Sequence, residues 1–414
     1  MKRGLLCFGA VMLVLALLLT LAPACGKGEE GPGPGVTPTP GVTPSPTPKL
    51  KEVKIGFLMP LSGPGGAWGV QFRQGYDWAI NKINAAGGVK IGADTYIIKK
   101  VVGDDKLIGS EGAKEATRMV YQEHIHYVQN LSYSAPEPIW VEGKVFYQSS
   151  SPTLRIGPDK PYAIQTAVDN TIWYPTFWDQ AYKYHPEIKT VAILYNDSPG
   201  SKSMADICKG AHEAHGTNVV AMAEYRQFSQ DYYPVLTPVV AKNPDAIDFD
   251  GGTHGDIDLI VKQIRELGYK GLLFGPAYGD PTSAIQVAGK YAEGFATNDP
   301  DYSSELYPET TRQLYAEFKR LYPGQPMALT TYISYIGVEI FVQAWQAAGS
   351  IDPDDVMKVF DDPNFTFTAF GIPDQRLGGY ETFGIRRNNP IDIAYSVVEN
   401  GKKVMKSVVH AYVP

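Results

Sequence analysis

Two periodicities of hydrophobic residues, one typical of strands and one typical of helices, alternate along residues 51–414. Short runs of β-branched and aromatic residues that end in Gly, Pro or Asp predict strands, and stretches with an apolar residue at every third or fourth position predict helices. The predicted strands are 53–59, 96–102, 126–131, 145–147, 190–195, 218–225, 246–249, 271–274, 391–398 and 404–409. The predicted helices are 68–86, 111–122, 137–142, 171–184, 201–214, 231–242, 256–267, 304–322 and 330–348.

The order of these elements predicts the fold class. Strands that alternate with helices of ten or more residues indicate parallel sheets that are covered by helices on both faces. The alternation runs twice through roughly 365 residues, which is enough chain for two domains of ordinary size. We therefore predict an α/β protein with two lobes, although no exact sequence repeat accompanies the repeated pattern.

The first residues of the chain have a different pattern. A basic start at 1–3 is followed by an uncharged apolar run over 5–22 and by small residues before Cys25, which is typical of an export signal over residues 1–24. The cysteine favours a lipoprotein that is cleaved before Cys25 and carries lipid on its sulfur. An uncleaved signal anchor is the alternative, because this apolar run just reaches membrane-spanning length. Either way, the rest of the chain lies outside the cytoplasm, in the periplasm or on the outer face of the membrane.

Residues 25–50 form a tether in this interpretation. They are rich in Pro, Gly and Thr, cannot bury a core, and favour extended polyproline II structure. At about 3.1 Å per residue, such a spacer holds a domain some tens of Å from the membrane. A passive, O-glycosylated stalk is an alternative that is compatible with a tether.

Charge and cysteine content narrow the choice of partners. The 37 basic and 44 acidic residues give a net charge of −7, which becomes −9 when the leader removes two basic residues. This acidity, with no Lys/Arg-rich run, argues against a nucleic-acid partner.

Cys208 is the one cysteine that remains after the leader and the lipid site, so no internal disulfide is expected. No second segment of membrane-spanning length follows the leader.

The segments that follow the predicted strands contain the candidate chemistry, because ligands of open α/β sheets bind beyond the carboxyl ends of the strands. These segments are rich in Ser, Gly, Asn, Thr, Asp and aromatic residues and poor in long cations. They are 60–68, 104–105, 131–134, 148–153, 195–200, 251–256 and 275–280. Helix N-termini behind such turns offer N–H groups to an anion. The composition favours a cleft for a small neutral or anionic molecule over a catalytic site.

An ordered series of motifs at these strand ends resembles the type I periplasmic binding proteins of the branched-chain amino acid transport family. The motifs are KIGFLMPLSGPGGAWG, AINKINAAGGV, YVQNLSYSAPEP, QSSSPT, VAILYNDSPG, DFDGGTHGD and LLFGPAY, and the resemblance covers roughly residues 52–400. It implies two Rossmann-like lobes with parallel sheets, joined by a three-crossing hinge, that close on a small ligand and present it to an ABC permease in the membrane. We expect lobe 1 at 51–167 plus 298–384 and lobe 2 at 168–297 plus 389–414.

The resemblance also implies a set of ligand-binding residues. The set consists of Trp68, Ser132, Tyr133, Ser134, Ser150, Ser151, Thr153, Tyr195, Thr253, His254, Tyr278 and Asp280. Trp68 is the aromatic residue that covers the ligand, and the serines with Thr153 bind the ligand carboxylate. The choice between Ser132 and Ser134 stays open. We expect a monomer with no cofactor and no bound metal.

One position departs from the pattern of the amino-acid binders. Ala277 stands where the family usually has an acid that pairs with the ligand ammonium. A buried, unpaired ammonium would cost several kcal/mol. Either Asp280, Asp256 or Asp197 replaces the missing acid, or the ligand has no ammonium group. The aromatic residues near strand ends make an aromatic carboxylate or an amide an alternative ligand, and they are Trp68, Tyr133, Trp173, Tyr195 and Tyr278.

Other functional classes have weaker support. The sequence has no Gly-x-Ser-x-Gly or Ser-x-x-Lys motif, so an exported enzyme would need a triad assembled from Ser132, Asp197 and His254. The glycines at 63–69 do not have the spacing of a dinucleotide-binding motif. The histidines of HEAH lack the i, i+4 spacing of a helical zinc pair. A ligand-sensing module for a membrane receptor is the remaining alternative to transport.

Overall fold

The computed structural model describes residues 50–63, 65–131, 134–149, 156–167, 169–198, 200–250, 254–277 and 279–414. The side chains of residues 67, 250 and 254 are also outside the description. The predicted leader, the lipid site at Cys25 and the tether up to residue 49 lie outside the described residues, so these three predictions stay predictions.

Sheet 1 is six-stranded and nearly all parallel. Its strands are β1 (Lys51–Met59), β2 (Val89–Ile91), β3 (Asp94–Asp104), β4 (Tyr127–Asn130), β5 (Phe146–Ser149) and β6 (Ala163–Gln165). They lie in the order β2-β3-β1-β4-β5-β6, and only the β2–β3 hairpin at the edge is antiparallel. Its connecting helices are α1 (Gly66–Ala85), α2 (Gly109–Tyr121) and α3 (Glu137–Glu142).

Sheet 2 is seven-stranded and mixed. Its strands are β7 (Thr190–Asn196), β8 (Asn218–Tyr225), β9 (Ala246–Asp250), β10 (Leu272–Gly275), β11 (Phe295–Thr297), β14 (Ile391–Glu399) and β15 (Lys402–Ala411). They lie in the order β15-β14-β11-β10-β9-β7-β8, with β7 to β11 parallel and the C-terminal hairpin antiparallel to β11. Its helices are α4 (Asn170–Tyr184), α5 (Ser201–Ala214), α6 (Tyr233–Val240), α7 (His254–Glu266) and α8 (Thr282–Ala288), with a 3-10 turn at Gly289–Ala292.

The chain passes three times between the two sheets. It leaves sheet 1 after β6, returns after β11, and enters sheet 2 again before β14. The returning segment holds α9 (Glu309–Leu321), α10 (Leu329–Ala348), α11 (Pro353–Asp361), the hairpin β12 (Phe367–Ala369) and β13 (Ile372–Gln375), and the short α12 (Tyr380–Phe383). The predicted class, two α/β lobes with a three-crossing hinge, is confirmed, except that antiparallel hairpins extend both sheets. The residue boundaries of the lobes stay predictions.

Helix α10 is the central core element of lobe 1. Fourteen of its twenty residues are buried, because its sequence is apolar all round. It approaches α1 closely at Gly75, where a Cβ would lie 2.0 Å from the Thr331 carbonyl oxygen.

Two glutamines attach α10 to sheet 1. Gln129 Nε2 donates to the Ser334 carbonyl and Gln148 Nε2 donates to the Gly337 carbonyl, both at 2.8 Å. A Cβ at Gly337 would lie 2.4 Å from Gln148 Oε1 and 2.5 Å from Gln129 Nε2. A side chain at this position would displace both glutamine amides, so the contact favours glycine.

Candidate ligand-binding site

The carboxyl edges of the two sheets adjoin each other at the hinge. Strands β6 and β11 both end where a crossing begins. Strand β14 runs antiparallel to β11, with Ser396 opposite Thr297, so β14 begins beyond the carboxyl end of β11. All three crossings are thus attached at carboxyl edges, which is where α/β proteins place their ligands.

The turn after β1 is organised by Asp104. Its Oδ1 accepts hydrogen bonds from the backbone N–H groups of Leu61 (2.8 Å) and Lys106 (3.0 Å), and its Oδ2 accepts from Ser62 Oγ (2.6 Å). Burial opposes the charged form, but these hydrogen bonds outweigh it and hold the pKa of Asp104 below its ordinary value. Asp104 therefore shapes the loop that precedes Trp68.

Trp68 lies in the first turn of α1 and is half-buried against the core. Its backbone N–H donates to the Gly65 carbonyl at 3.0 Å. The turn after β1 presses closely on this helix, because a Cβ at Gly69 would lie 1.9 Å from the Pro60 carbonyl oxygen. Trp68 thus stands at the carboxyl edge of sheet 1, as its predicted role as a cover requires, and that role stays a prediction.

Hydroxyl groups join the strand ends on the hinge side of sheet 1. Ser149 Oγ donates to the Leu131 carbonyl at 3.4 Å, and the N–H and Oγ1 of Thr166 both donate to the Ser149 carbonyl, at 3.0 and 3.1 Å. Ser134 is exposed in the turn before α3. The other candidates of this edge lie outside the described residues, namely Ser132, Tyr133, Ser150, Ser151 and Thr153.

On sheet 2, the end of β7 carries a polar turn. Asn196 Oδ1 accepts from the Ser198 N–H at 2.9 Å, and the Asn196 N–H donates to Ser201 Oγ at 3.1 Å. Tyr195 is half-buried, and the Lys202 ammonium lies 5.9 Å from the centre of its ring. Two further candidates of this edge, Thr253 and Tyr278, lie outside the described residues, and the side chain of His254 at the start of α7 is not described.

The three acids that could replace a residue at position 277 all accept hydrogen bonds from the protein itself. Asp256 is buried and accepts from the Phe228 N–H at 2.7 Å and from the Tyr232 hydroxyl, so it holds the loop after β8 against α7. The N–H of Gln227 donates to Asp197 Oδ1 at 3.0 Å.

Asp280 lies just before α8. Its Oδ1 accepts from the N–H and the hydroxyl of Thr282, at 3.0 and 2.7 Å. Burial raises the pKa of Asp299, which is ion-paired with Lys403, and the nearby charge of Asp280 raises it further. The predicted contact of Asp280 with a ligand stays a prediction, and its hydrogen bonds within the protein are those of a local turn with Thr282.

Trp173 has a contact that sequence reasoning missed. Its indole N–H, from α4, donates to the Pro276 carbonyl at 3.0 Å. This bond holds the loop after β10 immediately before Ala277, whose side chain is exposed. The sequence identifies Trp173 only as an aromatic residue near a strand end, because its partner is 103 positions away.

The hinge contains a second set of residues that the sequence analysis missed. Gln165 donates its N–H to the Arg387 carbonyl and accepts from the Asn389 N–H, both at 2.8 Å, while Asn388 Nδ2 donates to Gln165 Oε1 at 2.7 Å. At the second crossing, Asn298 Oδ1 accepts from the Ala394 N–H at 2.7 Å. These buried amides fix the first crossing to the third and β11 to β14.

The sequence model of the family described as periplasmic binding protein matches residues 52–381, about four-fifths of the chain. The chain belongs to that family. The predicted resemblance is therefore confirmed. Members of this family are exported binding proteins, which agrees with a chain that acts outside the cytoplasm.

Known relatives of this periplasmic binding protein extend over most of its length. It is 24% identical over 362 residues to the Leu/Ile/Val-binding protein homolog 8 of Brucella abortus (strain 2308), covering 83% of this chain and 87% of that protein. The branched-chain amino acid substrate-binding protein LivJ of Streptococcus pneumoniae, solved with isoleucine, has a TM-score of 0.71 at 20% identity and covers 88% of this chain and 100% of that one. A solute-binding protein of R. palustris, solved with benzoate, has a TM-score of 0.70 at 16% identity and covers 88% of this chain and 98% of that one.

In the described part of this periplasmic binding protein, no group of three or more His, Cys, Asp or Glu side chains is placed to hold a metal ion. No helix of that part is both long and apolar enough to cross a membrane.

Proposed function

We propose that this periplasmic binding protein captures a small carboxylate-bearing molecule between its two lobes and delivers it to an ABC permease. The observation that carries the proposal is the attachment of all three crossings at the carboxyl edges of both sheets. That attachment brings together the polar strand ends of the two lobes. A ligand that contacts both edges favours the closed state, because it binds that state more tightly than the open one.

We expect the ligand carboxylate to bind at the carboxyl edge of sheet 1. The hydroxyls of Ser149 and Thr166 already join the described ends of β5 and β6, and the predicted serines and Thr153 continue these strand ends. Trp68 at the same edge would exclude water from the closed cleft. The membership of the strands in the two sheets supports lobe 1 at 51–167 plus 298–384 and lobe 2 at 168–297 plus 389–414.

A second ligand class is favoured by the surroundings of Ala277. An amino-acid ligand needs a partner for its ammonium, yet Asp197, Asp256 and Asp280 are each engaged by neighbouring backbone or side-chain donors. A carboxylate that lacks an ammonium, such as an aromatic acid, needs no such partner. The benzoate bound by the R. palustris relative is a ligand of this class.

A thermal-shift panel on the protein without its leader tests the proposal. The panel contains leucine, isoleucine and valine as amino acids and benzoate as an aromatic acid. A ligand at about 100 times its dissociation constant adds about 2.7 kcal/mol of stability, which raises the Tm by a few degrees. Stabilisation by the amino acids supports the first class, and stabilisation by benzoate alone supports the second. If none of these four ligands stabilises the protein, the proposed ligand class is wrong.

The lipid anchor on Cys25 is part of the same proposal, and its support is the sequence pattern of residues 1–25. A Cys25→Ser variant should appear in the soluble fraction of the cell envelope, whereas the unchanged protein should stay with membranes. Membrane association that survives this substitution would instead support the uncleaved signal anchor. A receptor-docked sensor, the alternative to transport, predicts ligand binding with no loss of uptake when the gene is deleted.

A further inference from the structure

A second concave site lies beside the third crossing and is lined by none of the predicted ligand-binding residues. It is a cavity of 210 Å³ between the turn after α11, the end of β13, the third crossing and the C-terminal residues. Phe360 and Leu377 form buried apolar walls, and Phe365 and Tyr412 are more exposed aromatic walls. Arg376 and Arg386 bring two positive charges to the same cavity.

Neither of these two guanidinium groups has an ion pair or donates a hydrogen bond to another residue that the structure describes. The next residue in the chain provides a contrast. Arg387 is fully buried, and it donates to Asp361 Oδ1 at 2.8 Å and to two backbone carbonyls. Arg376 and Arg386 thus keep their donors available in a chain whose net charge is negative.

The described residues next to Arg376 and Arg386 do not accept hydrogen bonds from the two guanidinium groups. The guanidinium of Arg386 lies 4.2 Å from the centre of the Tyr380 ring in a cation–π contact, and no described residue accepts a hydrogen bond from its N–H groups. Asp362 also lines the cavity, but it lies more than 4.0 Å from both guanidinium groups, and its Oδ1 accepts from the Asn364 N–H at 2.8 Å.

A guanidinium presents a planar fork of N–H donors that matches the oxygens of a carboxylate or a phosphate. A volume of 210 Å³ is room for about seven waters at about 30 Å³ each, so the ligand has only a few heavy atoms. We propose that this cavity binds a small oxyanion, a phosphate or a short carboxylate, between Arg376 and Arg386. The site is separate from the proposed ligand cleft and does not depend on the identity of the cleft ligand.

The position of the cavity connects it to the hinge. Arg386 precedes Arg387, whose carbonyl accepts from the Gln165 N–H at the first crossing. Tyr412 precedes Val413, whose carbonyl accepts from the Gly379 N–H at 2.8 Å. A bound oxyanion therefore joins β13 to the third crossing, and any effect it has on closure must be matched by an equal effect of closure on its binding.

Calorimetric titration of the protein without its leader tests the site, with inorganic phosphate and succinate as probes. Chloride keeps the ionic strength constant, so that general salt effects cancel. Both Arg376→Gln and Arg386→Gln should weaken the binding of the probe at least tenfold. Arg320→Gln is the matched control, because Arg320 is an exposed arginine of α9 that lines no described cavity; it should bind like the unchanged protein.

The two probes, phosphate and succinate, distinguish which class of oxyanion the cavity binds. Saturable binding of phosphate alone assigns a phosphate, and binding of succinate alone assigns a carboxylate. No saturable heat with either probe overturns the proposal, and so does binding that all three variants retain. If Arg386→Gln fails to fold because it loses the contact with Tyr380, Arg376→Gln decides, since the exposed Arg376 supports no other described residue.

Discussion

The carboxyl edges of the two sheets differ in the side chains that join their strand ends and loops. At the edge of sheet 1, neutral hydroxyls of Ser149 and Thr166 join neighbouring strand ends. At the edge of sheet 2, three acids hold loops in place, as Asp256 does with the loop after β8. Asp104 is an acid at the edge of sheet 1 as well, but its carboxylate oxygens accept hydrogen bonds from the turn after β1. Under the proposed function, we expect the hydroxyls of lobe 1 to bind the ligand carboxylate and lobe 2 to recognise the remainder of the ligand.

The largest effect is expected for Asp256→Ala, which tests whether the acids of sheet 2 are structural. Asp256 is buried and accepts two hydrogen bonds, from Phe228 and Tyr232. Hydrogen bonds to charged groups contribute about 1.5–3 kcal/mol each, so the free energy of unfolding should fall by about 3 kcal/mol in a urea titration. Asp197→Ala is the control, because Asp197 is exposed and should lose less than about 1 kcal/mol. Equal losses in the two variants would contradict the structural role of Asp256.

We expect Ala277→Asp to reverse the ligand preference proposed for lobe 2, from a carboxylate without an ammonium to an amino acid. A carboxylate at this exposed position, beside the loop that Trp173 holds, restores the partner that an ammonium needs. We expect leucine to bind at least tenfold more tightly and benzoate at least tenfold more weakly, which corresponds to about 1.4 kcal/mol in each direction. Isothermal titration with both ligands measures the change, and Ala277→Asn is the uncharged control. If the Asp and Asn variants behave alike, charge at position 277 does not select the ligand.

Trp68→Ala tests the cover at the edge of sheet 1. The indole is half-buried against the core, so its removal should weaken ligand binding by about tenfold and leave both lobes folded. Fluorescence or calorimetric titration measures the affinity, and circular dichroism verifies the fold. Trp68→Phe retains an aromatic ring and should recover most of the affinity. An unchanged dissociation constant in the Ala variant would remove Trp68 from the site.

Asp104→Asn has the smallest expected effect and a distinct pH signature. The pKa of Asp104 is lowered in the folded protein, so its contribution to stability is present above the ordinary carboxylate pKa of about 4 and is lost as the pH falls through the folded value. The variant should lose about 1 kcal/mol near pH 7 and show a flatter decline of stability below pH 4. Acid titrations followed by circular dichroism compare it with Ser62→Ala, which removes one donor to Asp104 and keeps the charge. The same acid profile in the unchanged protein and in Asp104→Asn would contradict this role.

The long elements of the fold could be predicted because periodicity determines them. The predicted helix at 201–214 and strand at 218–225 agree with α5 and β8 in every residue. Strands β2, β6 and β11 have three residues each, too few for any period, and they exist because a neighbouring strand pairs with them. The antiparallel attachment of the C-terminal hairpin to β11 also depends on pairing, since no local pattern specifies it.

The location of the candidate site could be predicted from the sequence better than the role of each residue in it. Sequence alone placed polar residues at the strand ends, where Asp104 and Asn196 are found. It could not reveal that Trp173 binds the Pro276 carbonyl or that Gln165 binds the third crossing, because these pairs are 103 and more than 200 residues apart. Such contacts are properties of the folded chain and carry no local signal.

The contact at Gly337 has a mechanical consequence for lobe movement. Glutamines from two adjacent strands hold the backbone of one turn of α10, where a Cβ would displace their amide groups. These hydrogen bonds oppose sliding and rolling of α10 on the sheet, so we expect α10 and sheet 1 to move as one body. In the proposed closure, the change in angle between the lobes would then fall on the three segments that connect them.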